Sequence, residues 1–379
     1  MRICVIRNAE AEITTSFYRI VDAIIDSGNT PVILSRNREC SEISINKKEY
    51  IFKDKPIDNY EINIPAKRGA GLKNIFQLVI YQYILLKWLK QNRDKYDMVH
   101  SFDFDAGLPC SIINKKLKFR HIYHIADFYT ESRNMPGVLK KFFRKQEIKV
   151  IDKSDFTIIC NEERFEQIKG CNQPNIEVVH NVPVINEGLL DYIKNYNNNV
   201  NSSKLRLCYV GKLSKNRFIE DVIKVISENK NLHLDIAGIG PFEDEVKNSA
   251  EKFENINYYG KLNYEDAIKL YLDCDIMFAI YDPKVPNHRY SAPNKIYEAM
   301  ILNKPIIVAK GTGMDKIVNE NNMGYVIDYD KEDFKRIISE IISDRTTVKS
   351  MGINAGNAYD KYCWDTMKSR IINIYNNLK

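Results

Sequence analysis

Residues 290–305 read YSAPNKIYEAMILNKP, and residues 306–309 that follow read IIVA. Pro293 suits a first helical turn, because the N–H that proline lacks would be unpaired there in any case. Ile296, Ala299, Met300 and Leu302 then recur with helical apolar spacing. Asn303, Lys304 and Pro305 close the helix, and IIVA reads as a buried strand. Loop, helix and strand in this order form one step of a parallel α/β sheet. A helix N-terminus pointing out of such a sheet offers free backbone N–H groups and the positive end of the helix dipole, which suits a diphosphate. Glu298, one turn inside, is positioned to accept hydrogen bonds from a ribose diol. The competing reading of this segment alone is an ordinary amphipathic helix of an α/β protein.

The same rhythm extends in both directions. Towards the N-terminus, strand-like runs at 2–7, 31–35, 98–102, 121–125, 156–160 and 176–179 alternate with helical ones. The composition then changes at 191–204, DYIKNYNNNVNSSK, which is polar, Asn-rich and linker-like. The alternation restarts with strands at 205–210, 232–237, 256–259, 276–280, 306–309 and 324–327. We therefore expect two doubly wound parallel-sheet domains, with ligands at the carboxyl ends of strands. The expected boundaries are a first domain at 1–185, a linker at 186–204, a second domain at 205–360 and a last segment at 361–379.

A chain of 379 residues is long enough for two such domains, each with its own core. Hydrophobic residues make up 44% and charged residues 28%, as in soluble globular proteins. The eight cysteines form no CxxC pair, and Cys4, Cys160 and Cys208 sit inside apolar strand patterns. That points to reduced core cysteines in a cytoplasmic protein, not to a disulfide frame or a zinc site, so no metal is expected. MRICVIRN enters a strand at once, so no signal peptide is expected. Net charge is +6, and residues 51–150 hold 19 Lys and Arg against 10 Asp and Glu. An anionic membrane surface near residues 51–150 would match that surplus, as would a merely solvated basic face.

The second half opens with YVGKLSKNRFIEDVIKVI at 209–226. A strand ends at Gly211, a basic loop follows, and a helix starts near Phe218. Gly211 permits close backbone approach. Lys212 and Arg217 would place two cations in one spot, where they could stabilise charge developing on a nucleoside diphosphate leaving group without a metal. IAGIGP at 236–241 is a second glycine turn, in which Gly240 would let the backbone pass close to a nucleotide.

These strings resemble the donor-binding motifs of retaining glycosyltransferases of family 4. That family writes PNKxxEAM…KP, GRLxxxKG and AGxGP; here Lys212 falls on the Arg position and Arg217 on the Lys position. The resemblance implies a GT-B fold: two Rossmann-like domains facing a cleft, with a C-terminal helix that crosses back to the first. YCWDTMKSRIINIYNNL at 362–378 is similar to that ending. The implied donor-binding residues are Gly211, Gly240, Arg289, Tyr290, Asn294, Lys295 and Glu298, with Lys212 and Arg217 clamping the diphosphate. One departure matters. Many members carry a Glu eight residues before the ribose-binding Glu, and this chain has Tyr290 there. We expect altered sugar recognition, the alternative being a degenerate catalytic site.

In the first half, YDMVHSFD at 96–103 resembles the family's YDVIHAHD strand end, which places Asp103 and Asp105 on the acceptor side. HIYHIAD at 121–127 ends with His124, at a position where the family often has a histidine near the transferred sugar, and with Asp127. Both are candidate catalytic residues, the bland alternatives being a satisfied rim histidine and a helix-capping aspartate. A long helix opens at GAGLKNI (69–75) and runs to about Asn92. Its apolar stretch of 15 residues is too short to span a bilayer, and core packing is its expected role. LKKFFRK at 139–145 interleaves aromatics with cations, a surface suited to anionic lipid. No nucleic-acid motif accompanies it, so no nucleic-acid partner is expected.

The expected function is retaining, metal-independent transfer of a sugar from a nucleoside diphosphate sugar. A UDP-sugar is the expected donor, and no separate cofactor is required. The acceptor would be a glycan or polyprenyl-linked glycan of cell-envelope or capsular polysaccharide biosynthesis, met in the cytoplasm or at the inner face of the membrane. Two alternatives share the architecture: a nucleotide-sugar 2-epimerase, and a non-catalytic nucleotide-sugar-binding subunit of a glycan-assembly complex. A dehydrogenase is disfavoured, because the first loop, RNAEAEITTS, has no glycine.

Overall fold

The computed structural model describes residues 1–67, 74–133, 135–196 and 204–379. They form two compact units, Met1–His180 with Asp365–Lys379, and Asn181–Trp364.

The first unit holds eight strands: β1 (Arg2–Ile6), β2 (Thr30–Asn37), β3 (Ser44–Phe52), β4 (Lys55–Asn63), β5 (Met98–Phe102), β6 (Arg120–Ile125), β7 (Phe156–Ile159) and β8 (Ile176–Val178). Their order is β3-β4-β2-β1-β5-β6-β7-β8. All neighbours are parallel except β3 and β4. That antiparallel hairpin is absent from the sequence reading. It turns at Lys53 and Asp54, whose φ values of 46° and 60° suit a two-residue hairpin turn. Its outer strand is polar and largely exposed. Lys47 and Lys48 reach across to Asp58 (2.7 Å) and Glu61 (2.5 Å). An outer strand held by ion pairs shows little hydrophobic alternation, which is why pattern reading passes over it.

The helix Ile75–Gln91 packs through Tyr81, Leu85, Trp88 and Leu89, while Ile75, Phe76, Val79 and Tyr83 remain exposed. The expected opening of this helix at Gly69, Ala70, Gly71, Leu72 and Lys73 lies outside the described residues. The chain returns to the first unit at Asp365. There the helix Trp364–Asn377 buries Met367, Ile371, Ile374 and Tyr375. Arg370 donates to the Val178 carbonyl (2.8 Å), and Lys368 pairs with Asp22 (3.2 Å) and Asp26 (2.7 Å).

The second unit is a six-stranded parallel sheet of β9 (Leu205–Val210), β10 (Leu232–Ala237), β11 (Ile256–Tyr258), β12 (Ile276–Ala279), β13 (Ile306–Ala309) and β14 (Gly324–Ile327). The order β11-β10-β9-β12-β13-β14 is that of a doubly wound nucleotide-binding sheet. Strand order reverses between β9 and β12, so the loops leaving these two strands flank the switch point. Two boundaries differ from expectation. The first unit ends at His180, and the expected linker begins with a helix, Glu187–Asn195, capped by the Asn186 side chain on the Leu189 N–H (2.8 Å). The rest of that linker, 197–203, lies outside the described residues. The helix Arg345–Tyr362 also carries the second unit past residue 360.

Candidate functional site

In the second unit, the loop after β9 and the loop after β12 are joined at the switch point. The Asp282 N–H donates to the Asn216 carbonyl (3.1 Å). The Arg217 guanidinium lies 3.5 Å from the centroid of the Tyr281 ring, a close cation–π contact. Its Nη1 is buried and makes no hydrogen bond among the described residues. The next turn, Pro286–Tyr290, folds His288 back so that its Nδ1 donates to the Asp282 carbonyl (2.9 Å). Burial, helped by Arg217, holds the His288 imidazole below its ordinary pKa and so neutral.

The helix that starts the central motif spans Asn294–Ile301, with Pro293 at its cap position and no capping side chain among the described residues. Lys295 Nζ sits 4.8 Å from the centroid of the Tyr209 ring. Burial disfavours its charge, yet Tyr281, Tyr209 and Glu298 outweigh that, and Lys295 lies above its ordinary value. Glu298 is 7% exposed. Burial pushes its carboxyl up to about 7, with Lys295 pulling the other way. The structure thus brings Arg217, Lys295 and Glu298 together beside Tyr209 and Tyr281. Lys212 shares the loop; its carbonyl accepts from the Tyr209 hydroxyl (2.9 Å) and its side chain is exposed. Asn294 meets Asn181 at 3.5 Å, Tyr290 ends the turn, and Arg289 is exposed.

The two glycines serve neighbours within the protein. A Cβ on Gly211 would stand 2.7 Å from Lys295 Nζ, so the missing side chain is what lets the lysine lie over the loop. A Cβ on Gly240 would stand 2.1 Å from the Leu213 carbonyl oxygen. Gly240, expected beside a nucleotide, also packs one loop on the other.

In the first unit, the chemistry lies at the carboxyl ends of adjacent strands. Asp103, at φ 56° just past β5, accepts from the N–H groups of Ala126 (2.8 Å) and Asp127 (2.9 Å). Its carboxyl is pushed up to about 6, mainly by burial and against Arg7 at 3.6 Å. Asp105 is held by Asn8 (2.8 Å) and Arg133 (3.0 Å). Asp127 shares a cavity with both carboxylates. His124 is 8% exposed and stacks on Phe102 at 4.4 Å, with Arg7 4.9 Å over that ring. Burial, with His100 adding to it, drops its pKa well below the ordinary histidine value. Sequence reasoning missed Tyr209, Tyr281, Arg7, His100 and Tyr375. The available signal was position, since Arg7, Tyr209 and Tyr281 each stand at or just beyond a strand's carboxyl end.

Residues 194–358 match the family described as glycosyl transferases group 1. That match, 165 of the 379 residues, falls within the second unit. The chain is 24% identical over 261 residues to an uncharacterized glycosyltransferase, MJ1069, of Methanocaldococcus jannaschii, an alignment that covers 64% of each chain. It is similar in structure to sucrose-phosphate synthase from Thermosynechococcus elongatus, with a TM-score of 0.73 and 12% identity over 100% of this chain and 99% of that one. It is also similar to Anabaena HepE in complex with UDP-glucose, with a TM-score of 0.67, 14% identity and 100% of both chains covered. The fold is GT-B. The family match and the relative are both to glycosyltransferases, and the structural likenesses show the fold.

Proposed function

We propose that this chain transfers a sugar, with retention of configuration, from a UDP-sugar to a glycan or lipid-linked acceptor. The observation that carries the proposal is the cluster at the switch point of the second sheet. A partly buried arginine with an unused donor, a lysine and a buried carboxylate converge at the start of an uncapped helix. The diphosphate sits on Arg217, Lys212, Lys295 and the N–H groups of that helix. Glu298 takes the ribose hydroxyls. As the bond from the anomeric carbon to the phosphate oxygen breaks, negative charge grows on the leaving diphosphate, and these fixed cations stabilise it without a metal. The acceptor oxygen attacks from the same face, and its proton passes to the departing phosphate oxygen. His124, kept neutral, positions donor or acceptor, and Asp127 faces the acceptor. Tyr290, in place of a carboxylate, reshapes the contact to the donor sugar.

The first unit suits a lipid-linked acceptor presented at the inner membrane face. Ile75, Phe76, Val79 and Tyr83 on one helix, and Val138, Leu139 and Phe142 on the helix Gly137–Lys153, are exposed. Lys140, Lys141 and Lys145 lie among the latter, so apolar insertion and attraction to anionic lipid would act together.

The test is incubation of the full chain with a panel of UDP-sugars and detergent-solubilised polyprenyl diphosphate glycans, read by UDP release and by NMR of the product. Transfer with the donor's anomeric configuration kept supports the reading. Binding of UDP without release of UDP from any donor would favour the non-catalytic subunit, for which Tyr290 speaks.

A further inference from the structure

The first unit contains a cavity of about 480 Å³, within the range of small-molecule sites, whose lining includes Asn8, Arg36, Arg38, Asp103, Asp105 and Arg133. Its carboxylates are already engaged: Asp105 by Asn8 and Arg133, Asp103 by two backbone N–H groups with Arg7 close by. Two of its arginines make no salt bridge with a carboxylate among the described residues. Arg36 Nη1 donates to the Asn8 side-chain oxygen (2.9 Å), and Arg38 Nη2 reaches the same oxygen (3.5 Å) and the Asn8 carbonyl (3.3 Å). Two guanidinium groups therefore share one neutral amide. Arg36 is 3% exposed, and its Nε and Nη2 are buried with no hydrogen-bond partner among the described residues. Those two nitrogens form the edge of the guanidinium plane that takes an oxyanion through two parallel N–H bonds. Burial and the charge of Arg38 press on the Arg36 cation and outweigh the pull of Tyr81 and Asp105, so Arg36 lies below its ordinary value.

Building such a site costs stability, because a buried charge with only part of its hydrogen-bonding edge filled is unfavourable. A bound anion removes that cost. We propose that the cavity is an acceptor subsite for an oxyanion, in which Arg36 and Arg38 grip a phosphate or carboxylate group carried by the acceptor. This rests on the transferase reading above and narrows it, since a neutral sugar alone would leave the edge of Arg36 unfilled. A phosphate fits the surroundings best. Ile75, which opens the exposed apolar helix face, also lines the cavity, so a lipid phosphate could place its head on the arginines and its chain along that face.

The experiment is isothermal titration of the full chain with UDP and, separately, with glucose, glucuronate, glucose 6-phosphate, inorganic phosphate and a polyprenyl phosphate in detergent micelles. Wild type is compared with Arg38→Gln and Arg36→Lys, each checked for folding by circular dichroism. Arg38 is only partly buried, which keeps the test open if Arg36→Lys fails to fold. We expect at least one anionic probe to bind ten times more tightly than glucose. Arg38→Gln should weaken that binding by a factor of ten or more while UDP affinity is unchanged. The pattern among probes separates the sources: the soluble phosphate, the carboxylate or the lipid phosphate. UDP binding in wild type with no anion binding at millimolar concentration, or anion binding equal in Arg38→Gln, overturns the subsite and leaves the donor site standing. Absence of UDP binding would instead sink the transferase reading.

Discussion

His124 Nδ1 lies 3.1 Å from His100 Nε2, and His100 Nδ1 lies 2.8 Å from the Tyr375 hydroxyl of the last helix. Tyr375 is fully buried, and His100 is its hydroxyl's partner among the described residues. The hydroxyl therefore donates to His100 Nδ1, His100 carries its proton on Nε2 and donates to His124, and His124 is left with its proton on Nε2. Burial holds both rings neutral, with His100 down to about 3. The C-terminal helix thus sets the tautomer of the candidate site histidine.

Removing the Tyr375 hydroxyl should release this chain. In Tyr375→Phe, His100 Nδ1 loses its donor, and the last helix no longer fixes the His100 tautomer. Nitrogen NMR of the histidine rings should show the unprotonated His100 Nδ1 signal moving towards that of a nitrogen accepting no hydrogen bond. Stability should fall by about 1–3 kcal/mol, the usual cost of a lost buried partner. Unchanged ring resonances would contradict the assignment.

Glu298 predicts a pH dependence of nucleotide affinity. A ribose diol donates to a carboxylate, so binding favours the ionised form, and the free protein's carboxyl titrates at about 7. UDP should bind about tenfold more tightly at pH 8 than at pH 6. Glu298→Gln should flatten the profile. The same shift acts on folding in the opposite sense. The folded carboxyl keeps its proton up to about 7, against an ordinary value of 4.5, so its contribution to stability declines as pH rises between those values.

Gly240→Ala should be costly although it adds one methyl group. The new Cβ would meet the Leu213 carbonyl oxygen at 2.1 Å, and two hydrogen bonds of the Leu213 backbone, from its N–H to Ile239 (3.0 Å) and from Phe242 to its carbonyl (3.2 Å), hold the loop in place. We expect a loss of about 1–3 kcal/mol in urea denaturation, together with weaker UDP binding. A variant as stable as wild type would show that the loops can part without cost.

The strands and motifs of the second unit were legible because a buried parallel strand writes itself as an apolar run. The loops after β9 and β12 announced themselves through Gly211, Lys212, Arg217 and the PNK turn. Four features could not be read in this way. The outer strand of the β3–β4 hairpin is polar and largely exposed, so it shows little hydrophobic alternation. Lys295 proved to be part of the cation cluster with Arg217 because of Tyr209 and Tyr281, residues that look like core aromatics in sequence. The link from Tyr375 to His100 joins residues 275 positions apart, and Arg36 reads as one more surface cation until its burial is known.

The central claim is a diphosphate site on Arg217 and its neighbours. Its most direct test is thermal unfolding of wild type and of the Lys212→Ala/Arg217→Ala double variant, with UDP, GDP, TDP, CDP or ADP. A ligand at 100 times its Kd adds about 2.7 kcal/mol, which a melting curve shows plainly. We predict stabilisation by UDP in wild type and its loss in the double variant. Equal stabilisation of both proteins, or none with any nucleotide at millimolar concentration, would contradict the account.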